Sequence, residues 1–282
     1  MQEKKVLITG CSSGFGKYTA YFLRKNGWYV YAGARKEEDV VLLKKSGFDS
    51  FQLDLTSTQS IKRCLEGVLS SSGGSLTALV NNAGYTQIGA VEDLSREAMV
   101  NQFQVNVFGA VELTAGLIPV FRKQGFGRIV FISSVNGRFT FPFFGSYCAS
   151  KYALESFSDA LRRELTGTKI FVSTIEPGLF KTNAIANARE AFLKNVNSEK
   201  SVHSAVYKKI FDNFQANAAN TTEEKSILVA KAVYKVLESR KPCSRLIVPK
   251  ASLIYEMAAR FLPDDIQDYL YSMKLKFLDK LY

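Results

Sequence analysis

One feature constrains this chain more than any other: short β-branched or aromatic runs alternate with longer segments of helical period. Lys5 to Thr9, Trp28 to Gly33, Ser50 to Leu53, Leu76 to Val80, Arg128 to Ser133 and Lys169 to Ile175 read as strands. Between them, Gly14 to Asn26, Glu37 to Lys45, Thr58 to Leu69, Ser95 to Lys123 and Tyr147 to Leu165 repeat their apolar residues at helical spacing. A helix long enough to cross back after each strand makes neighbouring strands parallel. The result is an α/β chain with one doubly wound parallel sheet and helices on both faces, its crossovers right-handed. From about Thr182 to Asn220 the pattern loosens into mixed helical signal, which suits a substrate lid or a plain surface insertion. A helix at Glu223 to Glu238 and a strand at Leu246 to Val248 follow. The tail from Ala251 to Tyr282 is aromatic and amphipathic, broken at Pro263. No repeat divides the chain, so residues 1–282 are expected to form one domain with a lid (182–220) and a helical tail (251–282).

In such sheets ligands bind beyond the carboxyl ends of the strands. After the first expected strand comes Thr9-Gly10-Cys11-Ser12-Ser13-Gly14-Phe15-Gly16-Lys17, opening directly into a helix. Glycines there permit a tight turn and close approach of the backbone to a pyrophosphate. The helix start offers free N–H groups and the positive end of its dipole to that anion. The context, a strand then a helix at the first βα turn, marks a Rossmann-type dinucleotide site in which Gly10, Ser12, Ser13, Gly14, Phe15 and Gly16 cradle the phosphates. At the end of the second strand, where a carboxylate would read a free ribose hydroxyl, stand Arg35 and Lys36. A guanidinium pairs with a 2′-phosphate and a carboxylate repels it, so the expected cofactor is NADP(H) rather than NAD(H), with Arg35 the main selector.

Ser133 and Ser134 end the fifth strand, and Tyr147 lies 13 residues beyond Ser134, in Tyr147-Cys148-Ala149-Ser150-Lys151. Tyr147 and Lys151 are four apart and share a helix face. Tyrosine titrates near pH 10, and a neighbouring ammonium is expected to lower Tyr147 toward neutrality, where it can exchange protons. Ser134 would hydrogen-bond the substrate oxygen as charge develops on it. In reduction, hydride reaches a carbonyl carbon while Tyr147 protonates the oxygen; oxidation is the reverse. Lys151 would also contact the nicotinamide ribose.

Composition narrows the alternatives. The single histidine, His203, would have to serve any triad, and a zinc site of several histidines is ruled out. Cys11, Cys64, Cys148 and Cys243 are scattered, as in a reducing compartment. The N-terminus runs straight into the first strand, and no stretch reads as the roughly 20 apolar residues of a spanning helix. A soluble cytoplasmic protein is expected, with no metal. The formal charge of +11 shows no lysine/arginine block interleaved with aromatics, so no nucleic-acid partner is expected.

At these residues the sequence resembles the short-chain dehydrogenase/reductase family over at least residues 5–182. Asn81-Asn82-Ala83-Gly84 matches the family's N-N-A-G segment, Asp54 its adenine-contacting acid, and Asn106 the helix asparagine that relays protons to the lysine through a water. Pro177-Gly178 and Thr182 match the P-G-x-x-x-T segment beside the nicotinamide carboxamide. The resemblance therefore implies catalytic roles for Asn106, Ser134, Tyr147 and Lys151, and cofactor contacts by Asp54, Asn82, Pro177, Gly178 and Thr182. Asn82 could instead tie strands together, and Asp54 could mark a helix start. Cys11-Ser12-Ser13-Gly14, Gly33-Ala34-Arg35 and Glu176-Pro177-Gly178 are similar to the retinol and hydroxysteroid dehydrogenase-like branch, which includes bacterial NADP-dependent aldehyde reductases. That branch implies a small apolar carbonyl or alcohol substrate such as a bulky aldehyde, ketone, retinoid or steroid, and commonly a homo-oligomer. Phe139, Phe141, Phe143 and Phe144, just before Tyr147, read as an apolar pocket or as ordinary core. The C-terminal tail reads either as a membrane-surface segment or as packing on the domain or a second subunit. A redox-sensing NADP(H)-binding regulator and a family epimerase or dehydratase are the competing functions.

Overall fold

A computed structural model describes residues 4–178, 184–218, 223–270 and 272. Seven parallel strands form one sheet: β1 (Lys5–Thr9), β2 (Tyr29–Ala34), β3 (Asp49–Gln52), β4 (Ala78–Asn81), β5 (Gly127–Ile132), β6 (Ile170–Pro177) and β7 (Arg245–Val248). Their order is β3-β2-β1-β4-β5-β6-β7. The winding direction reverses between β1 and β4, which opens a crevice at their carboxyl ends. The register brings Thr9 level with Gly33, Asn81 with Phe131, and Ile132 with Ile175, so the segments that leave these strands emerge along one edge.

Both faces of the sheet are covered, and β1 shows why its sequence is apolar throughout. Val6 and Ile8 pack on one side, with helices α1 (Gly14–Lys25), α2 (Glu37–Lys45) and α9 (Glu223–Glu238). Leu7, pointing the other way, joins the core under α3 (Thr58–Ser71), α5 (Gly109–Gln124) and α6 (Gly145–Glu164). A third, smaller core holds Ile88, Ala90, Leu94, Ala188, Phe192 and Tyr207. It joins α7 (Ala184–Asn195) and α8 (Ser204–Ala218) to the loop after β4 and to α4 (Arg96–Phe103). Phe143 and Phe144 pack against this third core, so two of the four phenylalanines expected beside the site hold α7 and α8 in place.

Two sequence expectations are corrected here. The helix expected from Ser95 to Lys123 is interrupted by a π-helical turn at Gln104–Phe108, between α4 and α5. The run Arg96–Gln124 is also long and apolar enough to cross a membrane by length and composition. In this fold it lies against the sheet instead, with Leu113, Leu117 and Phe121 fully buried. Beyond β7, α10 (Leu253–Phe261) leaves Leu253, Ile254, Met257 and Phe261 exposed.

The π turn has a tight neighbour. A Cβ on Gly109 would lie 2.1 Å from the Leu55 carbonyl oxygen, a backbone atom that cannot swing aside. Gly109→Ala is expected to destabilise the protein by about 1–3 kcal/mol, as overpacking does. Urea denaturation reads this directly, and no change in midpoint would show that the loop after β3 gives way freely.

Candidate active site

The loop between β1 and α1 is shaped by its glycines. Gly10 and Gly14 have φ of 72° and 53°, the left-handed region that glycine enters at no cost. A Cβ on Gly16 would fall 2.2 Å from the Gly10 carbonyl oxygen and 2.4 Å from Asn82 Nδ2, so only glycine fits. Ser13 precedes α1 in extended conformation without a side-chain capping bond, which leaves the first N–H groups of the helix facing outward. They border a cleft of about 780 Å³, within the range that holds ligands. Gly10, Ser12, Ser13, Gly14, Phe15, Arg35, Lys36, Asp54, Asn82 and Gly84 line it. The bare backbone at a helix start, with two cations nearby, fits a dinucleotide phosphate.

Asn82 holds the crevice together. Its Nδ2 donates to the Thr9 and Gly10 carbonyls at 2.8 and 3.2 Å, and its backbone N–H donates to Thr9 Oγ1 at 2.9 Å. Its place is structural as well as cleft-lining. Asp54 likewise has two settings: it lines the cleft and accepts from the Thr56 N–H at 2.9 Å, while Ser57 caps α3.

Ser134, Tyr147 and Lys151 come together at the ends of β5 and α6. Ser134 and Thr86 are near enough to the Tyr147 phenol to favour its ionised form. Ser134 Oγ accepts from the Asn136 N–H at 3.1 Å. Lys151 is buried, and its Nζ donates to the Ile132 carbonyl at 2.9 Å while lying 5.8 Å from the centre of the Tyr147 ring. Asn106 sits in the π turn. Its Oδ1 accepts from the Tyr85 N–H at 3.0 Å, and its Nδ2 donates to the Tyr85 carbonyl at 3.0 Å and to Ser150 Oγ at 3.1 Å. The π turn thus gives Asn106, unfavourable inside a regular helix, a fixed set of partners. A Cβ on Gly84 would meet Asn106 Oδ1 at 3.0 Å and Lys151 Nζ at 3.8 Å, so all three residues share one small space.

The electrostatics differ from the sequence expectation. Burial pushes the Tyr147 phenol up to about 12, against the pull of Ser134 and Thr86 in the other direction. The ammonium of Lys151 reaches the Ile132 carbonyl rather than the phenol oxygen, so desolvation of phenolate outweighs it. Burial in turn draws Lys151 down to about 8, with Glu155 opposing. At neutral pH the site therefore holds a protonated phenol above a lysine close to its titration point. Such a phenol is an acid able to protonate an oxyanion.

Gly178, after β6, donates its N–H to the Val248 carbonyl at 2.8 Å, and a Cβ there would strike Ser252 Oγ at 1.9 Å. Pro177 offers its carbonyl to Ser134 Oγ at 3.4 Å. Thr182 lies outside the described residues. Sequence reading missed Thr86, two residues beyond Gly84, and Asp39, a carboxylate that lines the cleft together with Arg35. It also missed Asn187, Glu190 and Lys194, which α7 turns toward the cleft. Their i, i+3, i+7 spacing opposite the buried Ala188 and Phe192 was the available signal. Gly16→Ala is expected to weaken dinucleotide binding at least about tenfold with the fold intact, since the displaced Gly10 carbonyl deforms the cradle. Fluorescence titration with NADPH measures it, and unchanged affinity would remove the loop from the binding site.

Comparison with known proteins agrees with this geometry. The short chain dehydrogenase family profile matches residues 4–192. The uncharacterized oxidoreductase YbbO of Escherichia coli (strain K12) is 38% identical over 268 residues, 95% of this chain and 94% of that one. Retinol dehydrogenase 16 of Mus musculus is 40% identical over 194 residues, covering 67% of this chain and 61% of its own. The 17-beta-hydroxysteroid dehydrogenase type 6 of Homo sapiens is 31% identical over 281 residues, 96% and 88% of the two chains. Among solved structures, a single-residue variant of actinorhodin polyketide ketoreductase with NADPH superposes with a TM-score of 0.71 at 26% identity, over 87% of this chain and 95% of that one. A nucleotide cradle at the first βα turn, a serine, tyrosine and lysine at the sheet's mouth, and these matches along nearly the whole chain have one common reading: the chain belongs to the short chain dehydrogenase family, similar to its retinol and hydroxysteroid dehydrogenases.

Proposed function

We propose that the protein is an NADP(H)-dependent carbonyl reductase and alcohol dehydrogenase acting on a bulky apolar aldehyde, ketone, retinoid or steroid. The observation that carries the reading is the buried Lys151, its Nζ held on the Ile132 carbonyl 5.8 Å from the centre of the Tyr147 ring, beside the turn that starts at Ser134. A bound nicotinamide supplies the hydride chemistry. This chain's residues do the rest. Ser134 and Tyr147 bracket the substrate oxygen, and Tyr147 gives its proton as negative charge builds there. Lys151 stabilises the phenolate that is left, and Asn106 fixes Tyr85 and Ser150 around it. A phenol that keeps its proton at neutral pH is in the form that reduction uses. The intact set of four side chains supports turnover over a regulatory role.

Preference for NADP(H) rests on Arg35 and Lys36 at the cleft wall. The resemblance to a retinol and a hydroxysteroid dehydrogenase supports the substrate class. The helices α7 and α8, joined to the loop after β4 by their own small core, serve as the substrate lid. The four free cysteines support a cytoplasmic setting.

Two experiments test this reading. NADPH consumption is measured against retinal, steroid ketones and medium-chain aldehydes, with Tyr147→Phe as the comparison. Turnover with at least one apolar carbonyl is expected, falling by about 100-fold or more in the variant, as for loss of a general acid. Equal rates would dispose of Tyr147 as proton donor. In Arg35→Asp, kcat/KM with NADPH should drop about tenfold or more while that with NADH holds or rises. An unaltered ratio would take the selection away from Arg35.

A further inference from the structure

Beneath the catalytic residues lies a group of charges that the proton transfer itself does not use. Glu155 and Glu176 are 4% and 0% exposed, deeper than carboxylates ordinarily sit. Arg138 Nη2 lies 3.1 Å from Glu155 Oε2 and 3.4 Å from Glu176 Oε1. Arg245 Nε lies 3.1 and 3.5 Å from the same two oxygens, and its Nη2 reaches Asp159 Oδ2 at 2.7 Å. Thr174 Oγ1 donates to Glu155 Oε2 at 3.4 Å. Each carboxyl keeps one buried oxygen with no hydrogen-bond partner among the described residues, Glu155 Oε1 and Glu176 Oε2. Both carboxyls crowd the same two guanidiniums, where two full negative charges side by side repel and burial raises the hold of each on a proton. One proton held by the pair relieves that repulsion and leaves a single negative charge between the two guanidiniums.

The cluster joins the parts that build the active site. Arg138 ends the turn that starts at Ser134. Glu155 is one helical turn past Lys151 on α6. Glu176 directly precedes Pro177-Gly178 at the end of β6, and Arg245 opens β7. Around Gly137, Glu155 Cγ, the Lys151 carbonyl and Ser133 Oγ close in to 3.0, 3.1 and 3.2 Å of where a Cβ would stand. The charged or titratable groups facing Glu155 are thus Lys151 and Asp159 on its own helix, Arg138, Glu176 and Arg245 from the turn and strands, and Glu256 of α10 acting on Arg138 and Glu176.

We propose that Glu155 and Glu176 are positioning residues for the reaction: sharing one proton, they clamp the Ser134 turn, α6 and the Gly178 strand end together, and their common negative charge keeps Lys151 cationic beneath Tyr147. Glu155 raises Lys151 against the burial that draws it down to about 8. A lysine drawn down is charged below that value and neutral above it. Reduction should therefore fail as pH rises through the Lys151 titration, and the glutamate pair should set where this alkaline limit lies. The inference rests on the catalytic roles given to Tyr147 and Lys151.

The test is the pH profile of kcat/KM for NADPH-dependent reduction in wild type, Glu155→Gln, Glu176→Gln and the double variant. Glu155→Gln moves the pair's one negative charge from beside Lys151 to Glu176 and is expected to lower the alkaline limit; Glu176→Gln leaves Glu155 ionised and is expected to hold it; the double variant is expected to lower it by about one pH unit, as removal of a nearby opposite charge does. Glu238→Gln, which alters a carboxylate bonded to Lys4 and Trp28 outside the cluster, is expected to leave the limit in place. Thermal melting and NADPH affinity report on folding, because unpairing two guanidiniums destabilises. If the double variant does not fold, the single variants decide. A limit that stays put or moves upward in Glu155→Gln or in the double variant overturns the proposal, as does an equal fall in Glu238→Gln. A wild type without turnover, or a fully active Tyr147→Phe, would instead strike the catalytic assignment on which the proposal rests.

Discussion

A lysine ammonium is buried at the mouth of the sheet, and the other features of the site make that possible. Lys151 is buried and donates to the carbonyl of Ile132 at the end of β5. Burying a charge is costly unless its surroundings answer it. Here the answer comes from a strand end on one side, from a carboxylate one helical turn away, and from the small space left by Gly84. Remove the parallel sheet and the Ile132 carbonyl is no longer in place. Move α6 and the phenol no longer stands over the ammonium.

The same layout explains how a single fold edge serves binding and chemistry. The reversal of strand order between β1 and β4 opens the crevice, and Asn82 keeps its two walls at a fixed distance. One wall offers bare helix N–H groups and two cations. At the neighbouring strand end, Tyr147 stands over the buried Lys151. The π turn at Gln104–Phe108 supports the boundary between them through Asn106 and Tyr85. Polar residues of α7 close over the cleft while the opposite face of that helix is sealed in its own core.

Much of this was legible in the chain itself, and what was not has physical reasons. The seven strands and helices α1, α2, α3, α6 and α9 fell within a residue or two of their expected bounds, because a strand buried on both faces must be apolar and bounded by turns. Lys5–Thr9 and Glu37–Lys45 coincide with their expected limits. The π turn was hidden because Gln104 to Phe108 keeps a helical pattern across it, with Asn106 the one discordant residue. The direction of the Tyr147 shift was also hidden. Spacing places Lys151 on the same helix face, but burial and the carbonyl that captures the ammonium belong to the assembled fold. Phe143 and Phe144 could be pocket or core by position, and that they pack with Phe192 and Tyr207 could not be read locally. Glu155 and Glu176 meet only because α6 crosses β6, and no periodicity records that encounter.

The central claim is that Tyr147 keeps its proton in the folded protein and acts as an acid. Carbon-13 labelling of the tyrosine ring, with the Tyr147 resonance assigned by its loss in Tyr147→Phe, follows that proton directly by NMR titration of the cofactor-free protein. With the phenol pushed up to about 12, the resonance should not titrate across the neutral and mildly alkaline range. A Tyr147 resonance that titrates near neutrality would show a phenolate already present, and would contradict the account.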